Sequence, residues 1–146
     1  MGLTRRSTAV WHGTGKEGSG TVTSTSGVLK DTPYSFTTRF VSEDGRAGTN
    51  PEELIAAAHA ACFTMALSFQ LSNAGFTPGE LATTAHFAIE RGDAGWEPVG
   101  ITLEVTGTVP GVGAEQFQQL AENAKNGCPI SKALKAVPMT LKATLR

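Results

Sequence analysis

From Leu54 to Ser72 the chain carries no charged side chain, and this stretch constrains the fold more than any other. Its flanks are helix signals. Asn50 is a good N-cap, Pro51 suits the first helical position, where no N–H is needed, and Glu53 stands where it can complete a capping box. Gly75 ends the segment as a residue free to go left-handed. Between them Ile55, Ala58, Cys62, Met65 and Phe69 recur every three or four residues, which predicts one stripe of a helix with the Cys62 thiol pointing into packed protein. The length would suffice for a membrane span, but Ala, Ser, Thr, Gln70 and His59 dilute the hydrophobicity, and a helix buried in a soluble core is the better reading. A small chain buries such a helix by wrapping it in strands or by pairing it with a second copy.

At 146 residues one ordinary domain spanning 1–146 is expected, with room for a core. A net charge of -1 with scattered basic residues gives no electrostatic footprint for nucleic acid or an anionic membrane, so neither partner is expected. The amino end has two arginines but no apolar run, so it is not expected to be a secretory signal, and Arg6 spoils a myristoylation pattern. Two widely separated cysteines are too few for a secreted disulfide scaffold and point to a reducing cytoplasm with both thiols free at rest.

Residues 7–13, 19–26 and 34–41 are rich in Thr, Val and aromatics between turn residues, and predict a three-stranded antiparallel meander. The glycines around the first connection match no phosphate-binding fingerprint. In the third strand, alternation puts Tyr34, Phe36 and Thr38 on one face and Ser35, Thr37 and Arg39 on the other, so pattern alone reads Arg39 as a solvated strand residue. A polar loop containing Arg46 leads to the helix. Beyond it, 81–91 and 99–109 predict paired strands and 113–126 an amphipathic helix with Phe117, Leu120, Ala121 and Ala124 inward. Pro129 suits the start of a short helix ending near Ala136, with Cys128 as its N-cap, and MTLKATLR closes the chain as a strand.

The two cysteines differ in setting. A thiol at a helix N-terminus meets the positive end of the dipole and free N–H groups, which favour the thiolate, so Cys128 reads as reactive. Cys62, mid-helix among alanines, reads as a small core residue unless a cation or donor is aimed at it. His59 shares its face at i, i+3 and leaves three readings open. It can be a packed, hydrogen-bonded histidine, half of a Cys–His nucleophilic pair, or a zinc ligand with Cys62 that would need Cys128 and His12 or His86 brought in from elsewhere.

The run GTNPEELIAAAHAACFTMALS, preceded by GVLKDTPYSFTTRF and followed by NGCPIS, resembles the OsmC/Ohr family over essentially the whole chain. The arginine in PYSFTTRF, and HAACF where Ohr-like sequences more usually have YAACF, favour its OsmC branch. The resemblance implies an α+β fold of antiparallel sheets wrapped around a long central helix, in an intertwined homodimer with two active sites at the subunit interface. It implies a thiol-dependent peroxidase acting on organic hydroperoxides, and less efficiently on hydrogen peroxide. Cys62 would be the peroxidatic cysteine and Cys128 the resolving one that closes a disulfide with it. Neither cofactor nor metal is implied. An external dithiol, with lipoyl-protein dithiols one candidate, would return the disulfide to thiols.

By the same resemblance the family's arginine falls on Arg39 and its glutamate on Glu52. Arg39 would supply the cation that a buried thiol needs, and Glu52 would hold the guanidinium through a bidentate pair. Glu52 and Cys62 lie about 15 Å apart along a straight helix, so the Glu52 serving a given Cys62 is expected from the partner subunit. Phe36, Phe63, Met65 and Phe69 are candidates to line a pocket for a greasy hydroperoxide tail, with core packing the alternative for each. Two rivals remain at this stage: a non-catalytic module of the same fold that binds hydrophobic ligands, and a Cys–His thiol hydrolase using His59 and Cys62.

Overall fold

The computed structural model describes residues 1–146, which form two compact units, Met1–Leu54 and Ile55–Arg146. In the first, β1 (Ser7–His12), β2 (Ser19–Ser24) and β3 (Thr32–Ser35) make the expected antiparallel meander in the order β1-β2-β3. Trp11 and Tyr34 meet across it with ring centroids 5.3 Å apart. The third strand stops short of its predicted end. From Thr37 to Val41 the backbone is a single π-helical turn, so Arg39 is not a strand residue. The cause is local: Ser35 and Thr38 exchange side-chain hydrogen bonds, the Ser35 N–H donating to Thr38 Oγ1 at 2.9 Å and the Thr38 N–H to Ser35 Oγ at 3.2 Å. Such reciprocal capping offers the backbone an alternative to the ladder, and alternation cannot register it.

The long helix α1 runs unbroken over Pro51–Asn73 and crosses from one unit into the other. Its start is as the sequence predicts in one respect, the Glu53 N–H donating to Asn50 Oδ1 at 2.8 Å. Its other half differs, since the Glu53 carboxylate accepts from the Thr49 hydroxyl at 2.8 Å. At its end Gly75 has φ +90° and the Phe76 N–H reaches back to the Leu71 carbonyl at 2.9 Å, a Schellman closure.

The buried face of α1 is not the predicted one. His59, Phe63, Leu67 and Leu71 are buried, whereas Ala58, Met65 and Phe69 are exposed and Cys62 lies at the margin. Because the helix is apolar on every side, periodicity had no polar face from which to choose. Length and composition alone would let α1 cross a bilayer, yet its buried face belongs to a protein core.

That core lies in the second unit. There β4 (Glu80–Gly92), β5 (Gly95–Thr108) and β6 (Met139–Leu145) form a sheet in the order β4-β5-β6, preceded by α1 and joined by α2 (Ala114–Gly127) and α3 (Pro129–Ala133). Phe63, Leu67 and Leu71 share the core with Ile101, Leu103 and Val105 of β5 and Phe117, Ala121 and Ala124 of α2. Strands β4 and β5 are an antiparallel hairpin with an irregularity at Ala88/Ile89, but β6 runs parallel to β5, a departure from the all-antiparallel expectation. The connection holds α2 and α3, and this helical crossover carries the chain back from the far end of β5 toward the end at which β5 began, so that β6 runs the same way. Gly107 is what lets α2 lie down: a Cβ there would sit 2.7 Å from the Phe117 ring. Helix α3 is shorter than predicted, ending at Ala133.

Candidate active site

The four residues singled out by sequence form two pairs, one in each unit. In the first, the Arg39 guanidinium grips the Glu52 carboxylate. Nη2 donates to Oε1 at 2.7 Å, and Nε lies 3.2 Å from each oxygen. The π-helical turn presents Arg39, and the first turn of α1 presents Glu52, whose side chain is 15% exposed against 37% for the arginine. This fork geometry fixes the guanidinium plane while leaving part of it open to other groups. Arg39 also lies over the Phe40 ring, 4.8 Å from its centroid, and opens on a recess of about 230 Å³ shared with Trp11, Tyr34 and Phe36.

In the second unit Cys62 of α1 faces Cys128. Both are free thiols, and their sulfurs lie 2.7 Å apart. That separation is within about 0.7 Å of a covalent sulfur–sulfur bond, so closing a disulfide requires little movement. Cys128 caps α3 as expected, with extended backbone at φ −61° and ψ 126°, and is fully buried. Burial pushes the Cys62 thiol above its ordinary value, and the ionisable sulfur of Cys128 pushes the same way. The backbone N–H of Ile130, on the first turn of α3, is aimed at the Cys62 sulfur and opposes them. A helix N-terminus thus addresses both sulfurs, where the sequence pointed to Cys128 alone.

His59 is 1% exposed and its Nε2 lies 2.8 Å from the Ser131 hydroxyl. Burial holds the imidazole below its usual pKa. Among the three sequence readings this is the packed, hydrogen-bonded histidine. The hydrolase reading loses its base, because the ring is committed to Ser131 and not to Cys62. No three of the His, Cys, Asp and Glu side chains converge as metal ligands would. Of the candidate pocket residues, Phe63 belongs wholly to the core, Phe36 lines the recess beside Arg39, and Met65 borders an open recess with Ala61, Thr64 and Leu81. Ile130 and Ser131 went unnoticed in the sequence because no local pattern marks a backbone N–H or a serine whose partner is 72 residues away.

Comparison with known proteins bears on this geometry. Residues 43–142 match the family model described as OsmC-like protein. The chain is 49% identical over 136 residues to Peroxiredoxin OsmC of Escherichia coli, covering 93% of each chain. It is 32% identical to organic hydroperoxide resistance protein OhrB of Bacillus subtilis, over 78% of this chain and 80% of that one. The crystal structure of the same OhrB superimposes with a TM-score of 0.76 at 29% identity, covering 97% of this chain and 98% of the other.

Proposed function

The chain belongs to the OsmC-like protein family, and from that premise we propose that it is a thiol-dependent peroxidase that reduces organic hydroperoxides to alcohols, and hydrogen peroxide less efficiently to water. The observation that carries this reading is the approach of Cys62 and Cys128 to 2.7 Å in a chain 49% identical to a protein named a peroxiredoxin.

The chemistry follows from the residues. The Cys62 thiolate attacks the distal peroxide oxygen, the O–O bond breaks, and the alkoxide leaves as an alcohol after taking a proton, while Cys62 is oxidised to a sulfenic acid. The Cys128 thiol then condenses with it, forming the Cys62–Cys128 disulfide and releasing water. An external dithiol, a lipoyl group on a partner protein being one such reductant, reduces that bond through a mixed disulfide and is itself oxidised. No resident cofactor or metal enters these steps.

A thiol that burial holds protonated needs a cation, and Arg39, fixed by Glu52, supplies one that does not deprotonate. Because α1 is unbroken between Glu52 and Cys62, the pair serving each Cys62 comes from the partner subunit of a homodimer. The exposed Met65 and Phe69, 65% and 63% accessible, support a second copy covering that side of α1. Two free thiols suit a reducing cytoplasm, and neither a membrane nor nucleic acid enters this reading.

Consumption of cumene hydroperoxide under dihydrolipoamide tests it. Wild type should turn over, Cys62→Ser should not, and Arg39→Ala should be slower by about a hundredfold. Co-expressed Cys62→Ser and Arg39→Ala subunits should recover up to about a quarter of wild-type turnover, because a mixed dimer rebuilds one complete site. No turnover by folded, reduced wild type would return the chain to the ligand-binding reading. An inactive mixture would place Arg39 and Cys62 of one chain in the same site.

A further inference from the structure

The proposed chemistry leaves His59 without a role, although the residue is costly where it stands. Its imidazole is 1% exposed on a face otherwise made of Phe63, Leu67 and Leu71, and its Nδ1 has no hydrogen-bond partner. A buried polar group left half satisfied destabilises the fold, and an apolar side chain of similar size would avoid that. What the histidine obtains in return is the bond to Ser131, itself 6% exposed. With nothing facing Nδ1, the proton belongs on Nε2, so that a lone pair and not an N–H is stranded. Nε2–H then donates to Ser131 Oγ.

The placement of this bond relative to the sulfurs is specific. His59 precedes Cys62 by three residues on α1, and Ser131 follows Cys128 by three, so each pair shares a helical face. The contacts Cys62–Cys128 at 2.7 Å and His59–Ser131 at 2.8 Å are therefore two adjacent, antiparallel rungs between α1 and the start of α3. Helix α3 is only five residues long, with Pro129, Lys132 and Ala133 exposed, and so short a helix depends on tertiary anchors to keep its place.

We propose that His59 and Ser131 are a positioning pair: their hydrogen bond clamps the first turn of α3 to α1, keeping Cys128 in reach of the sulfenic acid formed at Cys62. The inference rests on the peroxidase reading and adds to it a determinant of which fate the sulfenic acid meets. With the clamp closed, the sulfenic acid condenses with the Cys128 thiol and releases water. With the clamp open, it persists and meets a second hydroperoxide, giving a sulfinic acid at Cys62 and another alcohol.

The test uses the purified full-length protein, treated with rising cumene hydroperoxide without reductant and read by intact mass over time. In wild type the disulfide, seen as loss of two hydrogens, should dominate. Ser131→Ala and His59→Leu should each slow disulfide closure about tenfold and gain the two-oxygen sulfinic product in proportion to peroxide. The double variant should be no worse than either single one, since both remove the same bond. His59→Gln places an amide donor near the Nε2 position and should restore closure to within about threefold of wild type. A merely structural histidine would not give that rescue together with a shift in product partition. Wild-type closure rates in folded Ser131→Ala and His59→Leu would overturn the proposal, as would His59→Gln behaving like His59→Leu. A Ser131→Ala chain that does not fold would overturn it too, by making the bond a requirement of the fold and not of the site. Failure of the wild type itself to oxidise would instead remove the peroxidase reading.

Discussion

A thiol on the margin of a buried helix face has little reason to ionise, and Cys62 is in that position: burial and Cys128 hold its proton on, and within its own unit the Ile130 N–H works against them. Pattern alone read Arg39 as a solvated strand residue and Cys62 as a small core residue; it was the family resemblance that paired Arg39 with Glu52, and their fork has the bidentate form it implied. Ile130 and Ser131 were not legible, because their roles depend on which helix face meets which. His59 was legible only as a set of alternatives, and the structure selects among them by its partner. Burial also makes it a proton-linked group. Its pKa is lowered from 6.5, so the folded chain keeps it neutral where the unfolded chain binds a proton. The unfolded state then holds more protons, and stability falls as pH drops below about 6.5 toward the lowered folded value. The Tm of wild type is expected to fall more steeply than that of His59→Gln between about pH 6.5 and 5, a window above the carboxylates. Parallel curves would mean that His59 is not buried as a neutral ring.

At the scale of elements, caps and breakers proved the most informative signals, and periodicity the least where a segment is uniformly apolar. Asn50 and Gly75 mark the ends of α1, and Cys128 with Pro129 marks the start of α3. The face of α1 was misread because alanines and large apolar residues surround it, and β3 was read too long because Ser35 and Thr38 cap a turn where alternation continues. The parallel pairing of β6 follows from the α2–α3 crossover, which a strand pattern alone does not reveal. One contact between elements carries a direct prediction. A methyl group at position 107 would stand 2.7 Å from Phe117, a ring that is itself 1% exposed, so neither side has room to yield. Gly107→Ala should cost roughly 1–3 kcal/mol in urea unfolding with an unchanged slope. A neutral result would show that α2 can slide on β5 without loss.

At the scale of the whole molecule, one unit holds the two thiols side by side and the other carries the Arg39–Glu52 fork. The sequence supplied the α+β class and, through its resemblance, the family. It did not supply the division into the units Met1–Leu54 and Ile55–Arg146, which is a property of contacts between distant residues. The exposed Met65 and Phe69 mark where the single chain is incomplete in this account, and the proposed dimer is what completes it. On the proposed function, Cys62 and Cys128, 2.7 Å apart as free thiols, are an oxidisable pair closed by a hydroperoxide. Intact mass and peptide mapping of the reduced protein after one equivalent of cumene hydroperoxide test it most directly. Loss of two hydrogens with a single Cys62–Cys128 linkage is expected, and in Cys128→Ser a sulfenic acid trapped at Cys62. Unchanged mass with both thiols still free to alkylate would contradict it.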